Sequence, residues 1–199
     1  MKKIIITLLL ITGFSITTKA QKETTIDLQK STVRWFGAYS FDFGGHEGVV
    51  KIKEGKVSTT DGQITNGLFV MDMNTIANTD GDYSQDLVDH LKSEDFFEVN
   101  KYPTAKFVIS NVKYHDPNNT KDSDQVYIRV HGNLTIKSTT LPMWFEAEIN
   151  PDNTLIEGKF RIDRTLYGVN YKSKGLGASI KDGIISDAIE FRIALRLKK

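Results

Sequence analysis

The stretch VYIRVHGNLTIK, residues 126–137, alternates apolar and polar side chains with period two over a dozen positions. Val126, Ile128, Val130, Leu134 and Ile136 fall on one face, and Tyr127, Arg129, His131, Asn133, Thr135 and Lys137 on the other. Only an extended strand with one dry and one wet side accommodates that pattern. Gly132 interrupts the apolar face and predicts a bulge or bend there. The same alternation returns at MWFEAEI, 143–149, at LIEGKFRI, 155–162, and at IEFRIALRLK, 189–198.

Turn chemistry separates these runs. NPDN at 150–153 suits a hairpin, with Pro151 presetting its own φ. Glu54-Gly55 and Asp61-Gly62 are further hairpin signals, and 115–124 reads as a longer polar loop. The spacing predicts about eight strands, near 32–40, 46–53, 56–59, 63–73, 104–115, 125–138, 141–149 with its partner 154–163, and 186–198. One segment departs from period two. Leu87, Val88 and Leu91 have helical spacing, and Ser84 or Asp82 can cap the start, so 84–93 is expected to be a short amphipathic helix. The fold class expected is all-β, a closed antiparallel, lipocalin-like barrel. A sandwich is the other solution for such strands. An apolar interior with charges outside favours a barrel in water over one in a membrane, whose polar face points inward.

The first twenty residues, MKKIIITLLLITGFSITTKA, open with Lys2 and Lys3, continue in an apolar run and end with small residues at 18 and 20 around Lys19. That is the layout of a secretory signal peptide, with a retained anchor as the alternative, and it divides the chain into a signal at 1–20 and one domain at 21–199. Cleavage removes three lysines and no acid, taking the net charge from +1 to −2. That balance argues against a nucleic-acid partner. The chain has no cysteine, so disulfides, thiolate catalysis and iron–sulfur ligation are impossible.

Four blocks, LVDHLKSEDFFEVNKYPTAKF (87–107), GNLTIKSTTLPMWF (132–145), FRIDRTLYGVNY (160–171) and IKDGIISDAIEFRIALRL (180–197), together resemble the bacterial YceI-like family. The resemblance implies a lipocalin-like barrel with one helix and an elongated apolar tunnel. It also implies an exported protein, periplasmic or secreted, that binds a polyisoprenoid or similar long-chain lipid, often as a homodimer. A transient membrane contact is a further expectation. The first-strand region VRWFGAYSFDFGGHEGVVKI (33–52) departs from the family pattern and predicts a different tunnel width there.

Alternation sets the expected tunnel wall: Trp35, Phe107, Ile109, Ile128, Leu134, Ile136, Phe145, Phe160 and Phe191. Phe97, Tyr167 and Tyr171 are expected nearer the mouth, with Arg164 and Lys172 as headgroup candidates. Ordinary solvated charge, or pairing of Arg164 with Asp163 or Asp95, is the structural alternative. The loop at 174–183 is a candidate lid.

Catalytic patterns are weak. His90 sits one helical turn from Asp86 and Glu94, a spacing that suits surface pairing as well as acid–base work. No Gly-x-Ser-x-Gly elbow supplies a nucleophile, and the four histidines, at 46, 90, 115 and 131, show no HxH or HExxH spacing for a metal. The expectation is a non-enzymatic lipid binder with no metal and no cofactor beyond the lipid. Two alternatives stay open: a barrel hydrolase or isomerase using His90 or His46, and an accessory docking body for a membrane redox or stress system.

Overall fold

The computed structural model describes residues 21–40, 44–81, 84–115, 126–150, 152, 154–177 and 183–198. The expected signal segment at 1–20, the cap candidate Asp82, residues 116–124 of the expected loop, Pro151 and Asn153 of the expected hairpin and residues 178–182 of the candidate lid lie outside the described residues.

Among the described residues, nine strands and one α-helix follow in order: β1 (Gln21–Thr25), β2 (Thr32–Ala38), β3 (Gly45–Thr60), β4 (Gln63–Asn78), α1 (Ser84–Lys92), β5 (Thr104–Tyr114), β6 (Val126–Ile136), β7 (Thr139–Ile149), β8 (Leu155–Asp163) and β9 (Ala188–Arg196). All pairings are antiparallel, and β2 to β9 close into an eight-stranded barrel through β3–β4 at one seam and β2–β9 at the other. Closure pairs each barrel strand on both sides over at least part of its length, which limits the open edge that invites aggregation. β1 lies outside the cycle and pairs with the distal half of β3, Gln21↔Thr60 to Thr25↔Lys56, while β2 takes the near half, Val33↔Val50 to Ala38↔Gly45.

The structure corrects several sequence expectations. The Glu54-Gly55 turn does not form: β3 is one sixteen-residue strand, bent by register shifts between Val49 and Lys51, Ile52 and Glu54, and Ser58 and Thr59. Gly55 is instead a space-maker, because a Cβ there would sit 2.6 Å from Ile26 Cγ1. Ile26, 1% exposed, plugs that end of the barrel and donates its backbone N–H to the Gly55 carbonyl. Asp61 and Gly62 do turn the chain, with φ of 53° and 80°, the left-handed pair required by a two-residue hairpin. The β6–β7 turn falls at Lys137 (φ 53°) and Ser138, two residues before the gap left between the expected strands.

Gly132 is paired, and the bulge lies opposite it on β5, between Ile109 and Asn111. A Cβ on Gly132 would strike the Phe107 ring and lie 2.5 Å from the Val108 carbonyl oxygen. A ring end can swing away, but a paired backbone cannot. Gly132→Val is therefore expected to lose about 3 kcal/mol of stability through overpacking, read as a lower urea midpoint at unchanged slope.

Outside the barrel, Glu190 on β9 is surrounded by Lys159 (3.1 Å), Arg161 (3.0 Å) and Arg192 (3.0 Å). Burial pushes its carboxyl up, but hydrogen bonds from these three cations win and hold it at about 2. A carboxyl lowered on folding contributes stability that is fully present above its unfolded value of 4.5 and is lost as pH falls towards about 2. The three cations are themselves half-exposed or more, which limits the contribution to about 1 kcal/mol. Glu190→Gln is expected to lower the denaturation midpoint at pH 7 and to flatten its fall between pH 5 and 2.

Candidate functional site

The inward residues of all eight barrel strands converge on one cavity of about 220 Å³. A single water needs roughly 10–15 Å³ on the same measure, so the void is many times larger than a hydration site. At the plugged end it is bounded by Val57, Ile64, Ile128, Ile156 and Leu195. Its opposite end meets Leu87 and Leu91 of α1, Phe96, Phe97, Tyr39, His46 and Ile185. The wall is apolar almost throughout, and such cavities stay dry and favour apolar guests.

An aromatic girdle crosses the middle of this space. Cross-strand register aligns Trp35 with Phe191 and Phe191 with Phe160, and on the far side Phe69 with Phe107. Ring centroids run Phe107–Phe145 at 5.7 Å, Phe145–Phe160 at 4.9 Å and Phe160–Phe191 at 5.4 Å, the last pair stacked at 19°. Each such contact adds roughly 0.5–1.5 kcal/mol beyond its buried area. Small neighbours make this possible: Gly48, paired with Trp35, has no Cβ, and one would lie 2.6 Å from Trp35 Cε2.

Helix α1 closes the mouth. Val88 and Leu91 are buried under it, and the chain then turns through Phe96, buried, and Phe97, half-buried. Val99 N–H bonds the Lys92 carbonyl and Phe97 N–H the Leu91 carbonyl, which ends the helix in a tight wrap. His90 pairs with Asp95 (3.0 Å), not with Asp86 or Glu94. The turn after the helix brings Asp95 back over the ring. The ring packs edge-on against Phe96 at 5.0 Å and Tyr171 at 4.5 Å. At the rim His46 Nδ1 lies 3.3 Å from Asp80 Oδ1. Burial pushes the Asp80 carboxyl up, but the Glu47 N–H, His46 and Asn78 hold it below its ordinary value.

Trp35, Phe97, Phe107, Ile109, Ile128, Leu134, Ile136, Phe145, Phe160 and Phe191 all line the cavity. Tyr167 and Tyr171 do not: Tyr167 is buried in the 3₁₀ turn after β8, where burial raises its hydroxyl's pKa, and Tyr171 packs on His90 and Phe96. Lys172 is likewise off the wall, its ammonium over the Tyr171 ring. Arg164 does reach the cavity, but as a buried strut only 1% exposed. Its Nε donates to the Ser186 carbonyl, Nη1 to Val169, and Nη2 to Ile185 and to Asp187 Oδ1 at 3.1 Å. Neither Asp163 nor Asp95 is its ion-pair partner. Asp187 is held in turn by the Ser173 hydroxyl at 3.0 Å. Sequence reasoning missed Met71, Met73 and Ile76 of β4, whose alternation is masked by the polar Asp72, Asn74 and Thr75 between them. Among the described residues no group of three His, Asp or Glu side chains is placed to hold a metal.

This is the geometry of a barrel with an internal apolar compartment, and the comparisons agree. The profile of the YceI-like domain matches residues 24–197. The chain belongs to this family. A UPF0312 protein of Pseudomonas putida is 41% identical over 61 residues, which is 31% of this chain and 28% of that protein. Among solved structures, Burkholderia cenocepacia BcnA superposes with a TM-score of 0.65 at 20% identity, covering 87% of this chain and 99% of that one. A polyisoprenoid-binding domain from Saccharophagus degradans, implicated in plant cell wall breakdown, gives 0.61 at 13% identity over 91% and 99%. At these identities the likeness is one of fold.

Proposed function

We propose that this YceI-like protein is an exported, non-enzymatic carrier that holds a long-chain isoprenoid or fatty lipid inside its barrel. The observation that carries the reading is the apolar compartment running from the Ile128–Ile156 end to the Phe96–Phe97 mouth. Its apolar lining suits a saturated or polyprenyl chain. Each buried methylene contributes roughly 0.8 kcal/mol, so an isoprene unit supplies about 3 kcal/mol or more before ordering costs. A structural neighbour described as polyisoprenoid-binding supports the same class of ligand. The segment at 1–20 supports export to the periplasm or beyond.

In this reading the girdle residues grip the chain and the mouth admits a polar head. Arg164 contributes the positive field of a guanidinium whose hydrogen bonds are largely committed to the protein, so a headgroup is oriented weakly there. Lys172 has no such position. His46, with Asp80 at its side, is the one histidine on the cavity wall and would be the residue of an enzymatic alternative. Two measurements decide between them. Titration with cis-parinaric acid is expected to give one bound probe per chain, with Trp35 emission transferred to the polyene. His46→Ala is expected to leave that binding within twofold. Turnover of lipid esters that disappears in His46→Ala would replace the carrier with an enzyme.

A further inference from the structure

The barrel's ladders differ in length. β6 and β7 are joined from Val126↔Ile149 to Ile136↔Thr139, and β8 and β9 from Leu155↔Arg196 to Asp163↔Ala188. Between those full ladders, β7 and β8 share only Ala147↔Gly158, Glu148↔Glu157 and Ile149↔Ile156. Residues 139–146 of β7 and 159–163 of β8 continue as strands, each held by its other neighbour but not paired to the other. The wall therefore parts into a wedge from Gly158 up to the mouth end.

Two features mark this wedge. Inside, it is closed by side chains alone: the Phe145 and Phe160 rings face each other across it at 4.9 Å, and both line the cavity. Outside, its flanks carry the two most exposed large hydrophobics among the described residues, Trp144 (56%) on β7 and Leu166 (61%) on the 3₁₀ turn that continues β8. That turn lies against β7, and the Arg129 guanidinium covers the Trp144 ring at 4.6 Å. A tryptophan stacked under a cation, here Arg129 paired with Glu146, and an exposed leucine on the adjoining turn are the chemistry of a protein that touches the headgroup zone of a bilayer.

We propose that the β7–β8 wedge is a lateral portal, through which a lipid chain slides between a bilayer seated on Trp144 and Leu166 and the barrel interior. Parting the wall here turns two rings and lifts the 3₁₀ turn off β7, but breaks no ladder hydrogen bond. Parting any other neighbouring pair breaks several. A chain moving sideways also passes from one apolar medium to another without crossing water. The inference rests on the reading that the barrel holds a lipid, and the experiment separates the two.

The chain has no cysteine, so pairs can be placed cleanly. Glu146→Cys with Lys159→Cys spans the wedge just above its apex. Lys159→Cys with Arg192→Cys spans the intact β8–β9 ladder, where the two residues are direct partners. Each folded variant is stapled with a cleavable bis-maleimide and loaded with cis-parinaric acid, and transfer to phosphatidylethanolamine–phosphatidylglycerol vesicles is timed. The wedge staple is expected to slow transfer at least tenfold, with recovery on cleavage, and the ladder staple to change it less than twofold. Trp144→Ser with Leu166→Ser is expected to slow transfer at least threefold while leaving equilibrium binding unchanged. If the wedge-stapled protein binds the probe and transfers it at the unstapled rate, the portal is wrong and the carrier reading stands. If the unstapled protein does not bind the probe, the carrier reading falls and the portal falls with it.

Discussion

Replacing Arg164 by methionine is expected to destabilise the protein by about 4 kcal/mol, the largest effect of any single substitution considered. Removing one partner of a buried charged network costs roughly 3–5 kcal/mol, because the groups left behind remain desolvated and unpaired. Here the Val169, Ile185 and Ser186 carbonyls lose their donor and Asp187 loses its cation. Methionine fills much of the same volume, so the loss reads the hydrogen bonds and not a cavity. The network ties the 3₁₀ turn after β8 to the segment 184–187 that enters β9, and Ile185 and Ser186 of that segment line the cavity. Lipid binding is therefore expected to weaken as well. Urea denaturation measures the first effect. Asp187→Asn, which keeps an acceptor, is expected to cost only about 1–2 kcal/mol. Equal losses in the two variants would show that the ion pair, and not the carbonyl clamp, is what Arg164 supplies.

Filling the cavity separates stability from binding. Ala105 on β5 is a small, buried member of the cavity wall. An indole in its place would take up part of the cavity of about 220 Å³ that the wall encloses. Ala105→Trp is expected to reduce parinaric acid affinity at least tenfold, which is about 1.4 kcal/mol. Stability is expected to stay level or rise by about 1 kcal/mol, as cavity-filling substitutions commonly give. Gly132→Val adds less bulk but drives it into backbone, so its sign is opposite. The pair tells void from packed wall by their melting temperatures alone.

The alternation of β6 and β9 made the barrel legible, because each of their residues faces either the lipid-like interior or water. The wall residues Ile128, Phe145, Phe160 and Phe191 follow from the same rule. It failed where strand residues obey another constraint. Glu54-Gly55 reads as a turn because Gly is flexible, yet Gly55 is small to admit Ile26, 29 positions earlier in the chain. β1 carries no alternation because it pairs outside the barrel with β3 and has no dry face. Arg164 looks solvated because its partner Asp187 is 23 residues further on. The β7–β8 wedge leaves no mark in the side chains, since both strands keep their inward and outward pattern while only the backbone pairing stops.

The stretch 90–107 shows the same limits at the mouth. Its helix and its buried Phe96 follow from spacing and hydrophobicity. His90 shows a sequence spacing compatible with catalysis, but its ring is clasped between Phe96 and Tyr171 and its ε-nitrogen is held by Asp95. That arrangement fastens the end of α1 to the segment that follows β8.

The central claim, that the barrel is built around a lipid chain, is tested most directly by native mass spectrometry of the protein purified from its own host, followed by solvent extraction. The account predicts a mass above that of the mature chain by one lipid, released by collisional activation and recovered as a long-chain species in the extract. A pure apo mass with no extractable lipid would contradict it.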